Sequence, residues 1–314
     1  MVLVGLSIGL VGCGDDGGSS PETTIQLKDV QPAIVELDGN VWALVGDKVI
    51  EFDGATHEQL REVDLGTEYS GVLVSDGEVV WASGVYGLTR IDPATGDAST
   101  TEAAYDSLAI AAGRLFAAGG GDLYEVDRAT GAALGQVTLP LNENGFDYEV
   151  VYLPLVGVGD TLWVTVAEDD FSFTAFDATT GAFGAKVEVD ESFGSAVLVG
   201  DVIWLADRYG NAVIADAATG EVLDEAVELP IGDTILDEAG SLFAGPDDTL
   251  WLLDQPAQDV YQLDPHTGTV LNSFHLSRRP SAMTVTATEL WFTNPFDDSI
   301  TVLARTSLKA PAQS

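Results

Sequence analysis

One local pattern recurs at nearly regular intervals along most of this 314-residue chain. In each copy, a turn and an apolar residue precede an aromatic residue that opens a short run of strand-forming residues. The seven aromatic anchors are Trp42, Trp81, Phe116, Trp163, Trp204, Trp251 and Trp291. Successive anchors lie 35 to 47 residues apart, with a mean of 41.5. Because one four-stranded propeller blade takes about 40–45 residues, the spacing predicts seven blades.

A second motif, Asp-x-x-Thr-Gly, keeps step with the aromatic anchors. It occupies residues 92–96, 127–131, 177–181, 216–220 and 264–268. The first copy, residues 53–57, has His57 in place of the glycine, and the seventh, around residues 304–307, is degenerate. An Asp that opens a turn accepts backbone N–H groups, and Gly adopts the left-handed conformation that closes it. The motif therefore predicts the turn between the third and outer strands of each blade.

The fold class that follows is all-β, a seven-bladed β-propeller of four-stranded antiparallel blades over residues 23–308. Strand-forming residues with turn signals every ten residues or so leave little room for helices. The seventh copy lacks a clear outer strand, and residues 23–28 form a short alternating run ahead of the first blade. Pairing this run with the seventh blade would close the ring and remove an exposed edge.

The N-terminus is predicted to lie outside the propeller. Residues 1–12 read as a lipoprotein signal peptide, because they are apolar and uncharged and end at small residues. The sequence Leu-Val-Gly-Cys at residues 10–13 resembles the bacterial lipobox, which makes Cys13, the only cysteine, the expected lipidation site. Residues 13–22 then form a flexible tether, and residues 309–314 form a C-terminal tail. No positive charge precedes Cys13, so either the natural start lies upstream or this is only an apolar leader.

The charge is strongly acidic. The chain has 12 Lys and Arg against 51 Asp and Glu, a formal net charge of −39. Nucleic acid and anionic lipid are disfavoured partners, because binding them requires clustered basic residues. Two interpretations stay open: a solvated surface suited to high salt, or an attraction for cations and basic partners.

The paired motifs resemble those of the bacterial YVTN, NHL and quinoprotein-like superfamily of propeller proteins. The layout is also similar to that of the virginiamycin B lyase family, without its clustered catalytic His and Glu motifs. The resemblance implies a propeller but no single activity, since propellers support many functions. The three histidines are poor catalytic candidates, because His57 and His266 fall in turns and His275 falls on an outer strand.

A ligand site is expected at the channel mouth, on the loops joining second to third strands and one blade to the next. These loops are rich in acidic and aromatic residues. The candidates are Tyr69, Tyr105, Asp170, Phe193, Asp207, Tyr209, Asp254, Arg278, Arg279, Phe296 and Asp297. Converging carboxylates could hold Ca²⁺ or another divalent cation, although no contiguous calcium loop is present. The pair Arg278-Arg279 could bind an anionic group, but internal pairing with nearby acids is favoured because so many carboxylates surround it.

These features favour an exported, lipid-anchored envelope protein that binds a protein, a peptide or a small polar ligand. We expect a monomer that touches the membrane only through its lipid and does not bind nucleic acid. A binding or scaffold role is favoured over an enzyme, because no catalytic constellation stands out. The alternative is a metal-assisted propeller lyase or hydrolase with its site at the mouth. A quinone-cofactor dehydrogenase would need basic and aromatic groups that this chain hardly offers.

Overall fold

The structure is a computed structural model that describes residues 21–66, 71–84, 87–137, 149–150, 155–167, 171–188, 193–231 and 242–308. Within these ranges, the chain forms 29 β-strands in seven antiparallel sheets and two short 3₁₀ helices. The sheets are the seven blades of a β-propeller, which confirms the predicted fold class. Among the described residues, no helix has the length and apolar character needed to cross a membrane.

The first three blades each contain four consecutive strands. Blade 1 comprises β2 (Val30–Leu37), β3 (Asn40–Val45), β4 (Lys48–Asp53) and β5 (Gln59–Asp64). Blade 2 comprises β6 (Gly71–Ser75), β7 (Val80–Gly84), β8 (Gly87–Ile91) and β9 (Ala98–Thr101). Blade 3 comprises β10 (Ser107–Ala111), β11 (Arg114–Gly119), β12 (Asp122–Val126) and β13 (Ala133–Gln136).

The next three blades follow the same order, with one irregularity. In blade 4, two short strands, β14 (Glu149–Val150) and β15 (Val156–Val158), both pair with β16 (Thr161–Ala167), which is followed by β17 (Phe171–Asp177) and β18 (Phe183–Glu188). Blade 5 comprises β19 (Phe193–Val199), β20 (Val202–Asp207), β21 (Asn211–Asp216) and β22 (Val222–Glu228). Blade 6 comprises β23 (Leu242–Gly245), β24 (Thr249–Asp254), β25 (Asp259–Leu263) and β26 (Val270–His275).

Blade 7 is completed by the N-terminal strand. Its first three strands are β27 (Ala282–Val285), β28 (Glu289–Asn294) and β29 (Ser299–Ala304), with 3₁₀ helices at Pro295–Asp297 and Arg305–Ser307. The outer strand is β1 (Glu22–Gln26), which pairs antiparallel with β29, Thr24 opposite Thr301. The predicted ring closure is confirmed. The signal peptide of residues 1–12, nearly all of the tether of residues 13–22, and the tail of residues 309–314 lie outside the described residues.

The two repeated motifs meet at the seams between blades. All six Trp anchors are fully buried. Trp163 of blade 4 donates its Nε1–H to the carbonyl of Ala217 in the blade 5 motif (3.1 Å). Trp204 of blade 5 does the same to Pro265 in blade 6 (2.7 Å). At these two seams, the motifs recur together because the Trp of one blade packs on the next blade's turn.

Glycine ends the turn motif for two reasons. Gly268 has φ +69°, and a Cβ built there would lie 2.5 Å from Val227 and 3.1 Å from the Trp204 ring. At the ring closure, His57 takes the glycine position with φ +62°. Its ring packs edge-on against Trp291 of blade 7 at 5.2 Å, and its Nε2 lies 2.9 Å from Glu289. The first motif therefore departs from the pattern where first and last blades meet.

Candidate functional site

The propeller has two faces with different construction. We call the face made by the loops between second and third strands and between blades the loop face. The opposite face, made by the turns between first and second strands and by the Asp-x-x-Thr-Gly turns, is the turn face. Nine of the eleven predicted mouth residues are described, and all nine belong to the loop face. Tyr69 and Asp170 lie outside the described residues.

Two of the predicted acids are structural. Asp207 is 5% exposed, and its carboxylate accepts the backbone N–H groups of Tyr209 and Asn211, both at 2.8 Å, and the Asn211 side-chain amide at 2.6 Å. Asp254 is 1% exposed and accepts the Ala257 N–H at 3.0 Å. Both carboxylates satisfy donors of their own loops, and a ligand-binding role for them stays a prediction.

Two of the predicted aromatics belong to the seams. Tyr105 is buried in the cluster between blades 2 and 3, its ring 5.6 Å from that of Tyr124. Burial raises the pKa of the Tyr105 hydroxyl, and the neighbouring Tyr124 adds to this. Phe193 is half-buried against the core between blades 4 and 5. Tyr105 therefore packs within a seam, and Phe193 largely does so too. A ligand contact at either residue stays a prediction.

Four predicted residues come together between blades 6 and 7. Arg278 Nη1 lies 3.7 Å from Asp297 Oδ1, and the Arg279 guanidinium lies over the Phe296 ring at 5.2 Å. Phe296 is 75% exposed, the most exposed of the large apolar side chains among the described residues. We call Arg278, Arg279, Phe296 and Asp297 the seam patch. The expectation of internal pairing is met for Arg278, but only by a loose ion pair.

Two anchored loops position the seam patch. The interblade loop is held at one end by Leu276 N–H, which donates to Gln258 O (2.7 Å), and at the other by Ser281 N–H, which donates to Thr293 O (2.8 Å). The loop of Pro295–Asp297 is held from the closing strand, because the Gln26 amide donates to the carbonyls of Asp297 and Asp298. Backbone anchoring leaves the side chains of Phe296 and Asp297 outside the fold's own hydrogen bonds.

The buried residues next to the seam patch include polar side chains. Asn294 is buried and donates to Ser299 O and Thr301 Oγ1, but its Oδ1 has no partner among the described residues. The Thr293 Oγ1 and Arg278 Nε atoms are likewise buried without a partner. Sequence reasoning missed Asn294, although an Asn directly before a Pro-containing loop in the mouth was a usable signal.

Tyr209 is the other exposed aromatic of the loop face that the structure describes. It is 58% exposed, at the tip of the blade 5 loop capped by Asp207. It is placed as predicted, exposed on a loop between second and third strands. No measured contact joins it to the seam patch.

A cavity lies at the other end of the central axis, on the turn face. Its volume is about 610 Å³, and it is lined by the ends of the innermost strands and following turns of blades 1, 2, 6 and 7. Glu36 and Thr284 are among the polar side chains in its wall, and Glu36 accepts the Gly39 N–H at 2.6 Å. Sequence reasoning did not identify this opening, because it considered only the loop face.

The acids do not gather into a metal centre in the part of the chain that is described. There, no three His, Cys, Asp or Glu side chains lie close enough to hold a metal ion together. The Asp residues of the turn motifs bind backbone N–H groups instead, as Asp177 does with Thr179 and Thr180, both at 2.8 Å. These bonds, from Thr180 above all, hold the pKa of the Asp177 carboxyl below its ordinary value.

Comparison with known proteins identifies a family and several similar solved structures. Residues 26–224 match the family described as outer membrane protein assembly factor BamB. No curated protein sequence matches the chain. Similar solved structures include BamB from Moraxella catarrhalis (TM-score 0.58, 16% identity, 90% of this chain and 98% of that chain) and virginiamycin B lyase from Staphylococcus aureus (0.67, 14%, 90% and 98%).

A third similar structure is hydrazine synthase from Kuenenia stuttgartiensis (TM-score 0.67, 12% identity, 93% of this chain and 99% of that chain). At these identities, the structural neighbours establish the propeller fold alone. The likeness to virginiamycin B lyase predicted from the repeat layout is confirmed for the fold. The narrower YVTN and NHL resemblance stays a prediction.

Proposed function

The chain belongs to the family described as outer membrane protein assembly factor BamB, and we propose that it is an envelope scaffold that holds another protein on its loop face. The family supports a role in assembling envelope proteins. The fold supports this role too, because the ring of blades holds the loops of one face in place for a partner. Binding residues are commonly carried by loops on such a scaffold.

The seam patch carries the proposal. Protein-binding hot spots are enriched in aromatic residues and Arg, and the patch offers an exposed Phe296 with Arg278 and Arg279 beside it. Arginines elsewhere in the described chain lie in seams, where Arg61 donates to Pro93 O (2.8 Å) and Arg90 donates to Arg128 O (3.1 Å). Arg278 of the seam patch thus differs from these arginines, which hold neighbouring blades together through hydrogen bonds.

Site-specific photocrosslinking in the envelope of the producing cell tests the docking proposal. A photoreactive phenylalanine analogue is placed at Phe296 and, as control, at Leu134, which is 62% exposed on the outer strand of blade 3. We expect a discrete protein adduct from position 296 and none from position 134. Equal adducts from both positions, or none from 296, would contradict the proposal.

We also propose that Cys13 carries a lipid, as the lipobox-like sequence predicts. Eight residues, 14–21, separate it from β1, a reach of about 30 Å when fully extended. The Glu22 carboxylate accepts the backbone N–H of Ser277, at 2.9 Å, next to Arg278. A lipid at Cys13 would therefore keep the seam patch near the membrane, where an envelope partner would be met.

Metabolic labelling with an alkyne fatty acid tests the anchor. Wild-type protein should take up the label and remain with the membrane fraction. Cys13→Ser should lose the label and move to the soluble fraction, with an unchanged melting temperature because the residue precedes the propeller. Labelling of Cys13→Ser to the same extent would rule the anchor out.

The calcium site predicted from sequence stays a prediction. A thermal melt in Ca²⁺, compared with NaCl at equal ionic strength, tests it, because a ligand of the folded state raises the melting temperature by mass action. A rise with Ca²⁺ alone would support a specific site. Equal curves would mean that the acids act as a solvated surface. The enzyme alternative is not favoured, because no described arrangement of side chains supports it.

A further inference from the structure

We propose that the segment held by the seam patch is an acidic peptide, whose carboxylate takes the place of Asp297 beside Arg278 while an adjacent apolar side chain packs on Phe296. This inference rests on the docking function proposed above. It adds the chemistry of the partner to that function.

Arg278 is an incompletely used cation. It makes no hydrogen bond among the described residues, and its one ion pair, to Asp297, spans 3.7 Å, beyond hydrogen-bond length. The two side chains are 31% and 40% exposed, so incoming groups can reach them. A guanidinium binds a carboxylate best through two parallel N–H donors. The Asp297 pair lacks that geometry, so a partner carboxylate can replace it with better bonds.

Phe296 supplies the apolar half of the site. Its ring is 75% exposed, which is unusual for a side chain in a loop anchored at its backbone. The Arg279 guanidinium lies 5.2 Å from the ring centroid, on one face of the ring. A cation in this position is attracted by the ring electrons and holds the ring in one orientation. The ring is thereby preorganised for an apolar side chain next to the bound carboxylate.

The overall charge favours a peptide over a membrane surface. A chain of net charge −39 repels an extended anionic surface. Repulsion of a short acidic segment is screened beyond about 8 Å at physiological ionic strength, so short-range contacts decide its binding. A basic partner would instead be repelled by Arg278 and Arg279 at this point of the loop face.

Isothermal titration of the full chain with two synthetic peptides tests the proposal. One is an acetylated octapeptide of alternating Asp and Leu, and the other alternates Asn and Leu. We expect the Asp peptide alone to bind. Arg278→Ala should weaken binding about tenfold or more, since hydrogen bonds to charged groups contribute about 1.5–3 kcal/mol. Arg278→Lys should fall between, because it keeps the charge but not the paired donors.

Asp297→Asn provides a gain of binding. Removing the internal competitor should tighten the Asp peptide about two- to fivefold, the size of an exposed ion pair. Lys48→Ala is the control, because it removes one positive charge from the third strand of blade 1 and should change nothing. Melting curves of each variant verify folding.

Four outcomes would overturn the proposal. The Asn peptide could bind as tightly as the Asp peptide, or Arg278→Ala could bind as tightly as wild type. Binding to phosphatidylglycerol vesicles that is lost in Arg278→Ala would assign the patch to lipid instead. If the adduct at position 296 forms while the Asp peptide fails, the docking function survives and the acidic partner does not.

Discussion

The seam between blades 5 and 6 and the seam patch between blades 6 and 7 use the same kinds of residues for different ends. In the first, Trp204 is fully buried and its Nε1–H bonds to Pro265 of the next blade. In the second, Phe296 is 75% exposed, and Arg278 has only a 3.7 Å ion pair. Aromatic and polar groups that satisfy one another build the ring, whereas those left unsatisfied at its loop face are available to a partner.

Truncating the seam aromatic should have the largest effect on stability. Trp204→Ala removes a fully buried ring and one hydrogen bond, so we expect the free energy of unfolding to fall by about 3–5 kcal/mol. Urea unfolding measures it. The matched control is Tyr209→Ala, an exposed aromatic on the loop face of the same blade, which should cost about 0.5 kcal/mol or less. Equal losses would remove the distinction between the two regions.

The turn glycines separate packing from backbone strain. Gly268 and Gly181 both have positive φ, but only at Gly268 would a Cβ meet neighbours, Val227 at 2.5 Å and Trp204 at 3.1 Å. Gly181→Ala should lose stability only through its unfavourable backbone conformation. Gly268→Ala should lose about 1–3 kcal/mol more, through overpacking of the seam. If denaturant titrations give the same loss for both, the close approach of Trp204 to the next blade's turn is wrong.

The turn Asp residues should make stability depend on acid. Hydrogen bonds from the Thr219 hydroxyl and from backbone N–H groups hold the pKa of Asp216 below its ordinary value of 3.8. The unfolded chain therefore binds more protons, so this stabilisation is present above pH 3.8 and lost as the pH falls through the folded-state pKa. Asp216→Asn keeps the acceptor oxygen and should flatten this acid dependence, measured by melts from about pH 6 down to about pH 2.

Asp216→Ala removes the acceptor as well and should lower the melting temperature at neutral pH. Asn at the same position should lower it less. A variant pair that melts alike at pH 7 would show that the turn does not depend on this carboxylate oxygen.

The smallest effect on stability is expected at the seam patch. Arg278→Ala should change the free energy of unfolding by about 0.5 kcal/mol or less, because Arg278 makes no hydrogen bond within the described fold. The comparison partner is Arg61→Ala, which loses a bond to Pro93 O and an ion pair with the buried Glu51. We expect Arg61→Ala to be the more destabilising, as read from urea unfolding.

The fold was predictable because its determinants are local and repeated. The Trp anchors and Asp-x-x-Thr-Gly turns specify strand, turn and period together, and the closing strand followed from a missing outer strand. The unlike member, His57, was visible as a lost glycine. Its contact with Trp291 and Glu289 was not visible, because it joins the two ends of the chain.

The candidate site was predictable only in part. An acid in a loop can be a ligand or a cap, and composition does not tell them apart. For Asp207, the Asn four residues later and the Gly between them were a turn signal that favoured a cap. Tyr105 is buried because the backbone of Gly119 leaves room for it, a contact across the blade 2–3 seam. The convergence of Arg278 with Asp297 needed the structure.

The most direct test is the adduct yield from the photoreactive analogue at Phe296 in the Arg278→Ala background. It is measured with the melting curve of the same protein. We expect an unchanged melting temperature and loss of the adduct, because the patch binds a partner without supporting the fold. A lowered melting temperature that accompanies the loss would make the patch structural. An undiminished adduct yield would show that Arg278 is not used in binding.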